Sequence, residues 1–324
     1  MVSSGRCDRF FRLDGQLRFL FAYSQGCQRL AQPLQRFLDH GTTLPFALYA
    51  QHALVAMVSE DLQYARDVGG VHAVTDRTMA HGDAGLPAAH GRRIRPYALM
   101  RADRLHDLTE DDWARLSATR LATIVDLRSA AERSEHPNAT PARLGIRELH
   151  CEIRNDIRAD PSLVLMLARD PTERGAERLM IELYRRLPRH MGGTMRTMID
   201  VLLDDGAPLL VHCSAGKDRT GFAIAMLLHS LAVPEDLVWA DYLASRRWPG
   251  KERHRAALAE RVGGIVSPAA LDRAVDAVLD VRESYLASAL TALLQDYGSI
   301  ERYLELEAGL DADRRERLRT RLLR

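Results

Sequence analysis

The chain has 324 residues and a mass of 36.3 kDa, with 46% hydrophobic and 27% charged residues, the composition of a globular protein of one large or two small domains rather than a disordered or fibrous one. Lys and Arg total 45 against 44 Asp and Glu, a net charge of +1, so no global field draws in nucleic acid or an anionic membrane and any anion must be recognised by a small local site. No apolar run reaches membrane-spanning length and no basic, then apolar, leader opens the sequence, so the expectation is a cytoplasmic protein with no nucleic-acid partner and no membrane insertion.

Residues 1–56 differ from the rest: six of the seven phenylalanines and six of the eight glutamines precede Met57, and the first glutamate is Glu60. The stretch 9–38 has the spacing of an amphipathic helix with Phe11, Phe19, Leu20 and Leu30 on its apolar face. The alternative is an extension upstream of a translation start at Met57, and neither reading gives the segment a catalytic role. The regular domain is expected over 57–324. Residues 65–70 (ARDVGG) read as a turn, and 71–96 as a polar Gly/Pro-punctuated loop with room for a short hairpin. Thr109 followed by Glu110, Asp111 and Asp112 is a helix N-cap with an acidic first turn. The apolar runs 121–129 (LATIVDLRS), 145–153 (GIRELHCEI) and 207–213 (APLLVHC) predict strands. Between the last two, 176–204 has helical spacing interrupted by Pro188 and the pair Gly192 and Gly193, which predicts two consecutive helices. A helix follows over TGFAIAMLLHSLAV, and residues 235–324 read as helical with breaks at Pro249 and Gly250, Gly263 and Gly264, Gly298, and Gly309. This order predicts an α/β core, a central mostly parallel sheet flanked by helices, with a helical C-terminal part.

The chemistry concentrates where the third strand meets its helix: His212, Cys213, Ser214, Ala215, Gly216, Lys217, Asp218, Arg219, Thr220, Gly221. A phosphate monoester dianion repels ordinary nucleophiles, so its enzyme needs a thiolate, an anion cradle, a cation and a proton donor. Cys213 lies at a helix N-terminus, where unpaired N–H groups and the helix dipole favour negative charge. The small Ser214, Ala215 and Gly216 allow the loop to curl so that successive N–H groups form an anion nest. Arg219 brings a planar fork that lysine lacks. Thr220 is placed to donate its hydroxyl to the sulfur, and His212 to order the loop through its ring. Two aspartates compete as general acid: Asp218, inside the loop, is preferred, while Asp126, ending a strand expected beside that of Cys213, is either the acid or a structural partner of Arg128 or Arg101. Cys151 reads as a core residue, with a disulfide to Cys213 under oxidation as the lesser alternative. Cys7 and Cys27 fall in the N-terminal stretch. The cysteines form no CxxC and the histidines no HxxxH or HExxH pattern, so neither metal nor cofactor is expected.

HCSAGKDRTG resembles the HCxxGxxRTG signature of the protein-tyrosine phosphatase superfamily. Its inner GKDR is similar to the bacterial branch that includes the secreted mycobacterial and listerial enzymes. The resemblance extends to ARDVGG, LMRADRL, VDLRSAAE, WADYLASRR and YGSIERYLE, covering residues 62–323, with Ala102 in place of the usual serine and residues 72–85 as an insertion. It implies a cysteine-dependent phosphatase acting through a cysteinyl-phosphate, with phosphotyrosine in proteins as the expected substrate, dual-specificity or phosphoinositide hydrolysis as the alternative and signal-less secretion as a family analogy. It also implies that Lys217, one of only two lysines against 43 arginines, contacts a second phosphate. Arg246, Arg247 and Lys251 either add to that rim or form a solvated helix face. A rival from another class is an inactive phosphate-binding module. The intact cysteine, arginine and candidate acids weigh against it.

Overall fold

A computed structural model describes residues 85–153, 169–247 and 268–324 continuously, with short stretches at 12–13, 16–17, 71–73, 162, 165–166, 251, 254–256 and 258. The chain divides into two units, Met1–Met57 and Val58–Arg324. In the first, Arg12–Leu13 pairs antiparallel with Gln16–Leu17. Strand pairing thus replaces helix at these positions. The remainder of the expected N-terminal helix, Cys7, Cys27, the 65–70 turn, most of the 72–85 insertion, and the breaks at 249–250 and 263–264 lie outside the described residues.

The second unit is built on a five-stranded sheet of β1 (Val71–Ala73), β2 (Leu99–Ala102), β3 (Thr123–Asp126), β4 (Arg147–His150) and β5 (Leu209–His212), in the spatial order β1-β2-β5-β3-β4. Only β1 runs antiparallel, against β2; the other neighbours are parallel. The three predicted strands are β3, β4 and β5. β2 was not anticipated, because LMRA carries an arginine and shows neither alternation nor a β-branched run. β2, β3 and β5 are buried along their whole length, as strands covered on both faces must be. The register aligns Asp126 and Ala102 with His212, bringing the C-terminal ends of the three central strands to one edge, where ligands bind in open parallel sheets.

Helix α1 (Glu110–Ala118) begins at Thr109 with a reciprocal capping box to Asp112, and α2 (Ala130–Glu135) with a second box between Ser129 and Glu132. A single 31-residue helix, α3 (Glu173–Leu203), replaces the two predicted ones and contains Pro188. Proline and two glycines in a helix interior cost about 5 kcal/mol together relative to alanine. Against this, Leu179, Leu183, Leu187, Met191, Met195, Met198 and Leu202 are all at most 4% exposed, and burying seven such side chains contributes on the order of 10 kcal/mol or more. The supposed breakers are contact points: Pro188 O accepts from Tyr303 Oη at 3.1 Å, and a Cβ on Gly192 would lie 2.6–2.9 Å from Glu307 atoms. Helices α4 (Arg219–Ser230), α5 (Glu235–Ala244), α6 (Pro268–Leu279), α7 (Glu283–Tyr297), α8 (Ile300–Ala308) and α9 (Ala312–Leu322) follow, with Gly298 and Gly309 at the C-caps of α7 and α8. Among the described residues no helix is long and apolar enough to cross a membrane.

Candidate active site

The loop from Cys213 to Asp218 joins β5 to α4 at the C-terminal edge of the sheet. Its curl depends on Gly216, at φ +65°, where a Cβ would lie 2.4 Å from the carbonyl oxygen of Ala102. Left-handed backbone and this close approach both require glycine. Arg101, on β2 and 2% exposed, donates through Nη2 to Gly216 O at 2.6 Å and through Nη1 to Asp241 Oδ2 on α5 at 2.7 Å. In a trans peptide the C=O and N–H point oppositely, so tying the Gly216 carbonyl down turns the Lys217 N–H the other way, as an anion nest requires. Gly221 completes the fit, since a Cβ there would meet the Tyr242 ring at 3.0 Å.

Arg219 is oriented by a residue that the sequence reading missed. Glu132, 3% exposed on α2, accepts from Arg219 Nη1 at Oε2 and Nη2 at Oε1, both at 2.8 Å. The same carboxylate takes the Ser129 N–H at 2.8 Å and the Ser214 hydroxyl, so one side chain ties helix cap, loop and arginine together. Burial raises a carboxyl, but these donors outweigh it and hold Glu132 well below the usual range. The Ser-x-x-Glu spacing of 129–132 is a helix-start signal. Nothing in it announces the second task.

Asp126 and Asp218, the two candidate acids, lie in opposite environments. Asp126 is fully buried and gripped by Arg128, whose Nε reaches Oδ1 at 2.9 Å and Nη2 reaches Oδ2 at 2.8 Å. Burial favours its neutral form, yet the Arg128 hydrogen bonds and nearby charges keep it below the ordinary carboxylate range. The strand adjacency expected of Asp126 holds, and its carboxylate is committed to Arg128. Arg101 pairs with Asp241 instead. Asp218 is partly exposed; Lys217 Nζ and Tyr184 Oη both donate to its Oδ1, at 2.8 and 2.7 Å. Oδ2 carries no hydrogen bond among the described residues.

Lys217 departs from the expected rim position. It is 2% exposed, with Nζ bound to Asp218 and to the carbonyls of Val278 (3.0 Å) and Asp280 (3.3 Å), so its charge is spent inside the protein. Arg246 is exposed, with Nε donating to Val281 O at 2.6 Å. The Arg247 side chain lies outside the described residues, and Lys251 is half-buried.

His212 is fully buried, with Nδ1 3.3 Å from Cys213 O and Nε2 3.3 Å from Asn138 Nδ2. Arg128 Nη2 donates to Asn138 Oδ1 at 2.7 Å, which fixes the amide so that Nδ2 faces the ring. His212 Nε2 must then accept and Nδ1–H donate to the Cys213 carbonyl. Burial lowers the imidazole to about 4, against the raising effect of Asp126, so the ring is neutral near pH 7 and orders the loop. Cys213 is 2% exposed. The Thr220 hydroxyl is buried with no hydrogen-bond partner among the described residues, so the expected bond to sulfur is not formed in this arrangement. Cys151 and Cys213 are both free thiols. They follow β4 and β5, with β3 between, which separates their backbones by roughly 9–10 Å, beyond disulfide reach. Burial, then the Asp126 charge, raises the Cys151 thiol. Among the described residues no cluster of three His, Cys, Asp or Glu is arranged to hold a metal.

Most of the chain, taken as a whole, is similar to known proteins. The chain is 32% identical over 246 residues, 74% of its length and 85% of the relative's, to a Cupriavidus necator protein provisionally described as a tyrosine-protein phosphatase. It is 31% identical over 256 residues, 71% of its length and 92% of the relative's, to the triple specificity protein phosphatase PtpB of Mycobacterium tuberculosis. A tyrosine-protein phosphatase of Nostoc commune is 27% identical over 243 residues, 74% of this chain and 79% of the relative. The profile of the tyrosine phosphatase family matches residues 59–324, a span that contains the loop, its Arg101 and Glu132 supports and the helices behind them, and the chain therefore belongs to the tyrosine phosphatase family and is a phosphatase.

Proposed function

We propose that the chain hydrolyses phosphate monoesters, with phosphotyrosine in proteins preferred, through a cysteinyl-phosphate formed on Cys213. The observation that carries this reading is the convergence on one loop of a cysteine, an arginine clamped by Glu132 and an aspartate with one oxygen held and the other without a hydrogen bond among the described residues. In the first step the Cys213 thiolate attacks phosphorus, the S–P bond forms and the P–O bond to the leaving group breaks. Asp218 gives its proton to the departing oxygen. Arg219 and the amides of residues 214–219 hold the equatorial oxygens, where donors preorganised for developing charge act most strongly. In the second step water attacks phosphorus and passes a proton to Asp218, the S–P bond breaks, and inorganic phosphate leaves with the thiolate restored. The buried Thr220 hydroxyl, without a hydrogen-bond partner among the described residues, can turn to the departing sulfur. We assign Asp126 a structural part, since it stays ionised in its pair with Arg128.

Two observations support an aryl ester. The sulfur-bearing residue is only 2% exposed, which suits an ester whose phosphate stands off from the peptide by a ring. The cation expected to read a second phosphate, Lys217, is turned inward. The words "triple specificity" in the name of the M. tuberculosis relative are the observation that favours broader action. Phosphate release by the wild type and Cys213→Ser without added metal, on phosphotyrosine, phosphoserine and phosphothreonine peptides and phosphoinositides, tests both. Activity that survives in the variant overturns the thiol route, and equal rates across the panel overturn the preference.

A further inference from the structure

Behind Asp218 stands a chain of buried hydroxyls that the steps above leave unused. Tyr184 on α3 is fully buried and donates to Asp218 Oδ1 at 2.7 Å, and Tyr242 on α5 donates to Tyr184 Oη at 2.9 Å. The Tyr184 ring is wedged between Tyr242, at 6.3 Å and edge-on, and Tyr285 on α7, at 5.7 Å. Its hydroxyl is therefore aimed by the rigid helical layer rather than by the loop it touches. From this geometry we infer that Tyr184 is a positioning residue for the acid, which holds Asp218 Oδ1 so that Oδ2 is presented to the leaving oxygen. The inference rests on the reading of Asp218 as general acid.

A carboxyl on a short side chain has two torsions to restrain, and donors arriving from two different elements restrain both. Lys217 Nζ, held by the carbonyls at the end of α6, is the first, and Tyr184 is the second. Because an N–H and an O–H already occupy Oδ1, the proton of the neutral acid belongs on Oδ2, the oxygen left for the substrate. The direction of the Tyr184 proton is also set. Tyr242 Oη lies 2.9 Å from Tyr184 Oη and 3.4 Å from Arg282 O, so its proton goes to the nearer Tyr184 oxygen, and the Tyr184 O–H points on to Asp218. Burial, together with the Asp218 charge, raises the Tyr184 phenol well above its ordinary value, which keeps it an O–H donor throughout the working pH range and rules it out as the acid. A merely structural tyrosine would have no reason to affect one ester more than another.

That difference is the test. The wild type, Asp218→Asn, Tyr184→Phe and Tyr242→Phe are compared on 2,4-dinitrophenyl, 4-nitrophenyl and phenyl phosphate, whose leaving oxygens need a proton in increasing degree, with inhibition by inorganic phosphate measured alongside. Because the second step, in which Asp218 takes the water proton, is common to all three esters, the comparison is made on kcat/KM, which reports the first step: Asp218→Asn is expected to lose about 10²–10⁴-fold in kcat/KM on phenyl phosphate, the span of general-acid catalysis, and little on the dinitrophenyl ester. Tyr184→Phe, which keeps ring and packing, is expected to lose roughly tenfold in kcat/KM on phenyl phosphate and less than about twofold on the dinitrophenyl ester, with phosphate inhibition within about twofold. Tyr242→Phe is expected to lose less, in the same order of esters, and carries the comparison should Tyr184→Phe fold poorly. An equal loss on all three esters, or no loss, while Asp218→Asn is selective, overturns the role of Tyr184 and leaves Asp218 as the acid. An unselective Asp218→Asn overturns the reading of Asp218 itself.

Discussion

Glu132 carries two duties, and substitutions there separate them. Its carboxylate accepts both Nη groups of Arg219, the Ser214 hydroxyl and the Ser129 N–H, and both members of the ion pair are under 10% exposed. Glu132→Ala leaves a buried guanidinium without its countercharge, a change that costs about 3–5 kcal/mol. For a unit of this size that lowers Tm by roughly 10 °C. Glu132→Gln keeps the shape but has one oxygen for two Nη groups. Its amide nitrogen fits best at the Oε1 position, where the Ser214 hydroxyl can rotate to accept, so one charge-assisted bond is lost at about 1.5–3 kcal/mol. Arg219 loses its fixed orientation in both variants, and displacement of about 1 Å costs about 10²-fold in rate. Urea unfolding monitored by fluorescence, together with kcat on an aryl phosphate, reads both effects. A Glu132→Ala protein within about 1 kcal/mol of the wild type, or one with unchanged kcat, would refute the claim that this pair holds Arg219.

Gly216→Ala should lose roughly 10²-fold or more in kcat, since its Cβ meets the Ala102 carbonyl at 2.4 Å in a left-handed backbone; Gly193→Ala, on α3 with nothing within 4 Å of the new Cβ, should instead stabilise by about 0.5–1 kcal/mol in thermal unfolding. His212 titrates at about 4 when folded against 6.5 ordinarily. The folded state then binds fewer protons than the unfolded state between these values, so stability should fall as pH is lowered from 6.5 toward 4, by up to about 1.4 kcal/mol per pH unit. His229, lowered by burial in the same direction, adds to the slope, and Asp126 and Glu132 add below their ordinary values. His212→Asn should give a shallower decline in denaturant midpoint between pH 6.5 and 5, and an unchanged slope would show that the ring is charged in the fold. Arg101→Met should cost about 3–5 kcal/mol by stranding the buried Asp241, and the Arg101→Met, Asp241→Leu pair clearly less in the same unfolding assay, while both lose activity because the Gly216 carbonyl is released.

Much of the core was legible because its signals are local. Apolar runs read as β3, β4 and β5 are strands because such segments bury both faces of a parallel sheet, and Thr109 caps α1 because an N-cap is a matter of three or four consecutive residues. The loop 212–221 could likewise be read as an anion site, since nucleophile, cradle and cation follow from adjacent residues. The two-helix reading of 176–204 failed for the opposite reason. Pro188 and Gly192 carry local costs, and the apolar face they interrupt recovers more by packing against helices that lie about a hundred residues further along the chain.

What the sequence by itself determined is which groups share the loop and which elements flank it, because backbone propensity and near-neighbour spacing act within a turn or two. Only the tertiary structure decided what those groups face. It turned Lys217 inward to the carbonyls of Val278 and Asp280, committed Asp126 to Arg128, and gave Asp218 a tyrosine from α3. It also recruited Glu132, 82 positions from Ser214, Arg101, 115 positions from Gly216, and Asp241, which pairs with Arg101 across 140 positions, as supports for a ten-residue loop. A buried charge must find its counterpart wherever the fold brings one within about 3 Å, and sequence separation places no limit on where that counterpart comes from.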